Sequence, residues 1–269
     1  MLNNNGFQAG KHMKSFKVLQ FNMQFGQGWS ESDPDNAPID LDKTLAEIQR
    51  HDADIILLQE VEQALPHGKQ LDPPPNFTKL RNALKGYQGY FSYPKSDARE
   101  LPFGIGLAIF CKTPLYDLFR LELPSPLLEF NFNGETKTPT NRLLIGAKTT
   151  IAGHEVQLYN THLLAFFMLK ASSKIHSEQR QLVLEQLKKS RIPTILGGDF
   201  NVSNHDALVE QYAQEGFRTS QTQDVTWRRM PYVLDHIFFD RQLKLISQSV
   251  IPTMSSDHHL VLAELTFVN

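Results

Sequence analysis

Eight short apolar runs, rich in β-branched and aromatic residues, recur along the chain and limit it to a fold built largely of strands. They are KVLQFNMQ from Lys17, DIILLQEV from Asp54, FGIGLAIFCK from Phe103, LLIGAKTTI from Leu143, EVQLYNTHL from Glu155, TILGGDFN from Thr194, VLDHIFF from Val233 and HLVLAELTF from His259. Helical patterns lie between several of them. IDLDKTLAEIQRH sets Leu41, Leu45 and Ile48 on one face. SKIHSEQRQLVLEQLKKS carries Ile175, Leu182 and Leu187 ahead of a lysine-rich last turn, and residues 76–85 predict another short helix. Ala152-Gly153 between two strand-like halves is a hairpin signal, so antiparallel pairs join helix-connected strands in a mixed α/β arrangement. The Pro-rich stretches 65–75 and 121–140 do not have the composition of flexible linkers. One domain over 15–269 is expected, behind a flexible leader at 1–14 in which Met13 is an alternative start.

Polar residues interrupt these runs at their ends. Asn22 follows VLQF, Gln59 and Glu60 follow IILL, Asn160 and His162 follow VQLY, and Asp199 and Asn201 follow TILGG. In two runs the polar residues come first: Asp235 before HIFF, and Asp257, His258 and His259 before LVLAEL. If those two strands run antiparallel to the other four, all six polar ends meet at one edge, where α/β sheets keep their ligand sites. Spacing of two residues puts Asn160 with His162, and Asp199 with Asn201, on shared sides of an extended strand. Gly197 and Gly198 leave room for a close neighbour.

The donors are hard oxygens: the carboxylates of Glu60, Asp199 and Asp257 and the amides of Asn22 and Asn201, with neither a cysteine cluster nor an H-E-x-x-H pattern. Such a set suits Mg²⁺, or Mn²⁺, better than a structural Zn²⁺, and the histidines can move protons. Charge argues against a long polyanion as the general partner. Twenty-seven Lys and Arg stand against 29 Asp and Glu, a formal net charge of -2. The single cysteine, Cys111, sits in an apolar run and reads as a small buried hydrophobe. The N-terminus lacks the apolar stretch of a secretory signal and no run approaches membrane-spanning length, so a cytoplasmic location is expected.

In order along the chain, FN at Phe21-Asn22, QE at Gln59-Glu60, NTH at Asn160 to His162, GDFN at Gly198 to Asn201, LDHIF from Leu234 and SDH at Ser256 to His258 resemble the motifs of the endonuclease/exonuclease/phosphatase superfamily. That superfamily includes DNase I-like nucleases, abasic-site endonucleases, neutral sphingomyelinases and inositol-polyphosphate 5-phosphatases. Each motif alone is weak; six in the family's order are specific. The resemblance implies a four-layer αββα sandwich of two mixed sheets flanked by helices. It implies a metal-dependent phosphoric-ester hydrolase, with water attacking phosphorus in line. Glu60 becomes the principal metal ligand, with Asn22 and Asp257 nearby and Asp199 and Asn201 completing the site. His258, oriented by Asp235, activates the water, with Asp199 the alternative base and Asn201 beside it in the catalytic set; His162 donates to a phosphate oxygen, and Arg142 and Asn160 contact the substrate phosphate. Gln59 braces the site from behind.

A phosphodiester is the expected substrate, from a nucleic acid or a phospholipid head group, handled by a monomer with no obligate protein partner. The near-neutral charge weakens the nuclease branch. A catalytically inactive binding protein on the same fold would have lost the metal ligand or the base, and Glu60, Asp257 and His258 are all present. The other histidines, His12, His51, His67, His154, His176 and His205, read as solvated, and His236 as packed or bonded to backbone. LLAFFMLK after NTH begins a helix and enters the core, or else forms an apolar rim. Trp227, with Arg228 and Arg229, is a candidate cover over the substrate.

Overall fold

The computed structural model describes residues 14–268, so the expected leader, except Lys14, lies outside the described residues, as do Met13 and His12. Fourteen strands follow in order: β1 (Phe16–Asn22), β2 (Ile55–Gln63), β3 (Gln88–Ser92), β4 (Gly104–Cys111), β5 (Tyr116–Leu123), β6 (Phe130–Phe132), β7 (Glu135–Lys137), β8 (Arg142–Ile151), β9 (His154–His162), β10 (Thr194–Asp199), β11 (Arg218–Thr219), β12 (Asp235–Phe239), β13 (Leu243–Ile251) and β14 (Leu260–Phe267). Four α-helices are α1 (Leu41–Gln49), α2 (Pro75–Ala83), α3 (Glu178–Leu187) and α4 (His205–Ala213). One six-stranded sheet has the order β13-β14-β1-β2-β4-β3, the other β11-β12-β10-β9-β8-β5, and β6 and β7 form a separate hairpin.

Strand alternation sorts the apolar residues into layers. Phe16 and Val18 of β1, Ile55 and Leu57 of β2, Val156 and Leu158 of β9, Ile195 of β10 and Ile237 and Phe239 of β12 fill the core between the sheets. The alternate residues point outward: Leu19, Phe21, Ile56 and Leu58 pack under α1 and α2 through Leu45, Ile48, Phe77 and Leu80. On the other side Leu144, Tyr159, Leu196 and Phe238 pack under α3 and α4 through Val183, Leu187, Leu208 and Tyr212. The result is the four-layer αββα sandwich, each fully buried large apolar side chain contributing about 1.5–3 kcal/mol.

β1 and β2 are parallel, as are β9 and β10, whereas β12 runs antiparallel to β10 and β14 antiparallel to β1. The β8–β9 hairpin turns at Ala152 (φ 50°) and Gly153 (φ 86°), the two positive values that match the twist of its strands. α1 is capped by Asp40, whose carboxylate accepts from Lys43 N at 3.1 Å. The third helix starts later than its sequence pattern predicts. It begins at Glu178, so Ile175 lies outside it and is exposed, while Val183, Leu184 and Leu187 carry its buried face. LLAFFMLK begins no long helix. Residues Phe166–Leu169 make a single 3-10 turn that buries Phe166 and exposes Met168. Of the histidines expected in solvent, His154 is exposed while stacking on Phe267, whereas His176 and His205 are half-buried, stacked on Phe166 and His236. Among the described residues no helix is long and apolar enough to cross a membrane.

Candidate active site

Following the inner face of each strand toward one edge, the core turns from apolar to polar. On β1, Phe16 and Val18 give way to Gln20 and Asn22. On β2, Ile55 and Leu57 give way to Gln59. On β9, Val156 and Leu158 give way to Asn160, and on β10, Ile195 gives way to Gly197 and Asp199. Because β12 runs the other way, its polar residue Asp235 comes first and lies opposite Asp199 in the register. Antiparallel pairing of β14 with β1 likewise brings the segment before Leu260 to this edge.

These residues are bonded across the two sheets. Gln20 Nε2 donates to Gln59 Oε1 at 2.7 Å and to Asp235 Oδ1 at 2.9 Å, and Gln59 Nε2 donates to Asn160 Oδ1 at 2.6 Å. Asn160 Nδ2 donates to the carbonyls of Leu58 at 2.8 Å and Ala108 at 2.9 Å. The expected phosphate contact of Asn160 is therefore corrected: it is fully buried, with its amide spent on tying β9 to β2 and β4. Gln20 belongs to the same buried chain and was missed. A polar residue at inner-face parity inside VLQF is the signal that could have found it.

In front of this network lie two carboxylates joined by one amide. Asn22 Nδ2 donates to Glu60 Oε1 at 3.0 Å and to Asp199 Oδ2 at 3.1 Å, while Asn22 Oδ1 accepts from Gln24 N at 3.1 Å. Asn22 thus acts here as a donor that spaces the carboxylates. His162 Nε2 stands 3.8 Å from Glu60 Oε1 and 3.5 Å from Asp199 Oδ2. On the far side of Asp199, His258 Nε2 lies 3.7 Å from Oδ2, and its Nδ1 is held by Asp235 Oδ2 at 2.8 Å. The SDH turn is fixed by Ser256, whose hydroxyl donates to Asn22 O at 2.8 Å and accepts from His258 N at 3.1 Å. β14 starts at Leu260, so His259 precedes the strand; its N–H bonds to Thr226 O.

Asp257 is committed on one side. Its Oδ2 accepts from Arg229 Nε at 2.8 Å and Trp227 Nε1 at 3.2 Å, and its Oδ1 is 4.0 Å from His258 Nε2. Trp227, a candidate cover over the substrate, is buried, and Arg229, which also reaches Asp35, pins an acid at this site. Asn201, at φ 50°, donates its backbone N–H to Asp199 Oδ1 at 3.0 Å and its amide to Leu163 O at 3.0 Å. It holds Asp199 in place. Arg142 opens β8 beside His162, 3.7 Å from Glu100 Oε1.

Electrostatics separates the two histidines. Burial lowers the pKa of His162 well below its ordinary value, helped by the charges of Arg142 and His258, so this ring is neutral. Burial pulls His258 the same way, but Asp235 and Asp199 outweigh it and raise it above its ordinary value. Burial lifts Glu60 to about 7 against its bond from Asn22, and burial together with Asp235 raises Asp199. Carboxylates whose hold on a proton is raised in this way fit a divalent cation, which would favour their ionised form. Among the described residues Asp199, Asp235 and His258 form a ligand-type trio with one donor atom each within 4.8 Å of the others. Asp235 and His258 in it are already bonded to each other, whereas Asp199 and nearby Glu60 accept only from amides, Asp199 from Asn22 and Asn201 and Glu60 from Asn22, and these are the oxygen donors left for a cation.

A model of the Endonuclease/Exonuclease/phosphatase family matches residues 19–258. UPF0294 protein YE0917 of Yersinia enterocolitica is 27% identical over 222 residues, 79% of this chain and 73% of that one. Among solved structures, an endonuclease/exonuclease/phosphatase family protein of Bacteroides thetaiotaomicron superposes with a TM-score of 0.69 at 20% identity, covering 96% of this chain and 99% of that one. The mannosyl-6-phosphatase Bt3783 of the same species superposes at 0.66 with 19% identity, covering 94% and 100%.

Proposed function

Since the chain belongs to the endonuclease/exonuclease/phosphatase family, we propose that it is a Mg²⁺-dependent hydrolase of phosphodiesters in which His258 handles the proton of the attacking water. The observation that carries this reading is the juxtaposition of two carboxylates, half-buried Glu60 and buried Asp199, bridged by the Asn22 amide, with an imidazole whose far nitrogen is held by Asp235 at 2.8 Å. Glu60 and Asp199 are the residues to hold Mg²⁺ or Mn²⁺, with Asp257 alongside. The ion would supply Lewis-acid stabilisation of charge on the phosphoryl oxygens.

The rest falls to the chain. Asp235 keeps the proton of His258 on Nδ1, so Nε2 is the atom that can take a proton from water. Asp235, Asp199 and Asp257 together favour the protonated ring against its burial, and a cation held by Asp199 would weaken that pull on Nε2. His162, neutral and near both metal-binding carboxylates, donates from Nε2 to a non-bridging oxygen, and Arg142 adds positive charge beside it. Phe167 packs on Trp227, and the Trp227 ring centre is 6.3 Å from that of His258. Half-buried Phe167, resting on that buried indole, is the apolar surface that supports an ester flanked by an apolar or planar group, a phospholipid head group or a nucleotide, while the formal net charge of -2 argues against long duplex nucleic acid.

The test is hydrolysis of bis-p-nitrophenyl phosphate, plasmid and abasic DNA, sphingomyelin and inositol phosphates with Mg²⁺ or Mn²⁺, comparing wild type with E60A and H258A. Metal-dependent turnover that both substitutions abolish is expected. Absence of such turnover on every substrate, or turnover unchanged in both variants, overturns the assignment.

A further inference from the structure

The alternation of β2 assigns Glu60 to the wrong face. Ile55, Leu57 and Gln59 point between the sheets, while Ile56 and Leu58 point to α1 and α2, and Glu60 has the parity of the second set. Its carboxylate nonetheless stands in the site. The pairing of β2 with β4 slips between Gln59 and Glu62, and Glu60 adopts φ 50°, a conformation uncommon for a residue with a Cβ. Such a kink needs something to rest against.

Gly104, which opens β4 and pairs with Gln63, is that surface. A Cβ there would lie 2.1 Å from Glu60 Oε2, 2.2 Å from its Cβ and 2.6 Å from its Cγ, and these are the three nearest atoms. The φ of Gly104 lies outside the left-handed region, so its backbone does not call for glycine. The requirement is space, and the space belongs to Glu60.

We infer that Gly104 is a positioning residue for the metal-binding carboxylate: its bare Cα is the floor on which the Glu60 side chain lies, and it sets where Oε1 meets the Asn22 amide. This rests on the metal-dependent hydrolase reading above. A methyl group at position 104 forces the kinked segment to move as a whole, because the Cβ of Glu60 is as close as its carboxylate.

The experiment uses the full chain and Mn²⁺ as probe. G104A should bind Mn²⁺ about 10–100-fold more weakly in an EPR titration, with its rate recovering as metal is raised. G89A is the control: its Cβ would meet the Phe110 ring at 2.7 Å, a comparable collision on an edge strand. It should lower the melting temperature while Mn²⁺ affinity stays as in wild type. Thermal melts of G104A, E60G and E60G/G104A close the comparison. G104A should destabilise the wild type and leave E60G unchanged, and this pair decides even where G104A alone fails to fold. Wild-type Mn²⁺ affinity in a folded G104A, or an equal loss of melting temperature with and without the Glu60 side chain, overturns the inference. If wild type itself binds no Mn²⁺, the hydrolase reading fails, whereas coupling between positions 60 and 104 in the melts still reports the contact.

Discussion

Replacing Asp235 by asparagine keeps the shape of the side chain and should cripple the proposed reaction. Asp235 is fully buried, and each carboxylate oxygen accepts from a different donor: Oδ1 from Gln20 Nε2 at 2.9 Å, Oδ2 from His258 Nδ1 at 2.8 Å. An amide offers one acceptor and one donor, so D235N sets an N–H against a donor on one side or the other. If the N–H faces His258, the imidazole must carry its proton on Nε2 and can no longer accept one there. A tautomer error of this kind costs about 10⁴-fold in kcat where it has been studied in other acid–histidine pairs. If the N–H faces Gln20 instead, that amide can turn, since its Oε1 has no partner, at the expense of its bond to Gln59. The base then survives but loses a charged partner, worth about 1.5–3 kcal/mol, or roughly 10–150-fold. Steady-state hydrolysis of bis-p-nitrophenyl phosphate measures the loss, and nitrogen NMR of labelled histidine reports the tautomer. A folded D235N within about threefold of wild-type kcat would refute the assignment of His258 as the base, since that is less than the weaker of the two effects.

Two further expectations concern stability. Burial raises Glu62 from 4.5 to about 7, although it accepts from Phe77 N at 2.8 Å. Because the folded protein holds this proton more tightly than the unfolded chain, its contribution is fully present below pH 4.5 and is lost as pH rises through about 7, a change of about 3 kcal/mol. Urea unfolding across that window should decline less steeply in E62Q than in wild type, the remaining decline belonging to groups such as Glu60 that are raised in the same way; equal slopes for the two would contradict it. N160A removes the bonds to Leu58 O, Ala108 O and Gln59, at about 1 kcal/mol or more each. Its melting temperature should fall by roughly 5–15 °C while KM stays unchanged. A rise in KM with intact stability would restore Asn160 as a phosphate contact.

How much of this was visible in the sequence depended on burial. All eight apolar runs became strands because both faces of those segments are covered, so continuous β-branched stretches mark them. The strands that escaped, such as β5 (YDLFRLEL), β13 (LKLISQSVI) and β3, lie at sheet edges, where exposed positions take polar residues and blur the pattern. The site motifs were legible as polar residues breaking apolar runs, and Asn22, Glu60, His162, Asp199, Asp235 and His258 do lie together. What those residues bond to was not. Asn160 looks like a ligand in NTH, yet only the opposing sheet shows that two carbonyls claim its amide. Arg229 and Gly104 act through Asp257 and Glu60 across long stretches of chain, and no local pattern records such a partner.

The pairing of β1 with β14 joins the beginning of the described chain to its end. During synthesis β1 emerges early and finds β2 on one side, but its other edge stays open until residues 260–267 have left the ribosome. The second sheet can assemble meanwhile, since its strands all lie between 116 and 239. An open edge of Phe16, Val18 and Phe21 is a template for any passing strand. Truncation near the C-terminus therefore threatens aggregation as much as activity, because the segment carrying His258 leads directly into the strand that closes the first sheet.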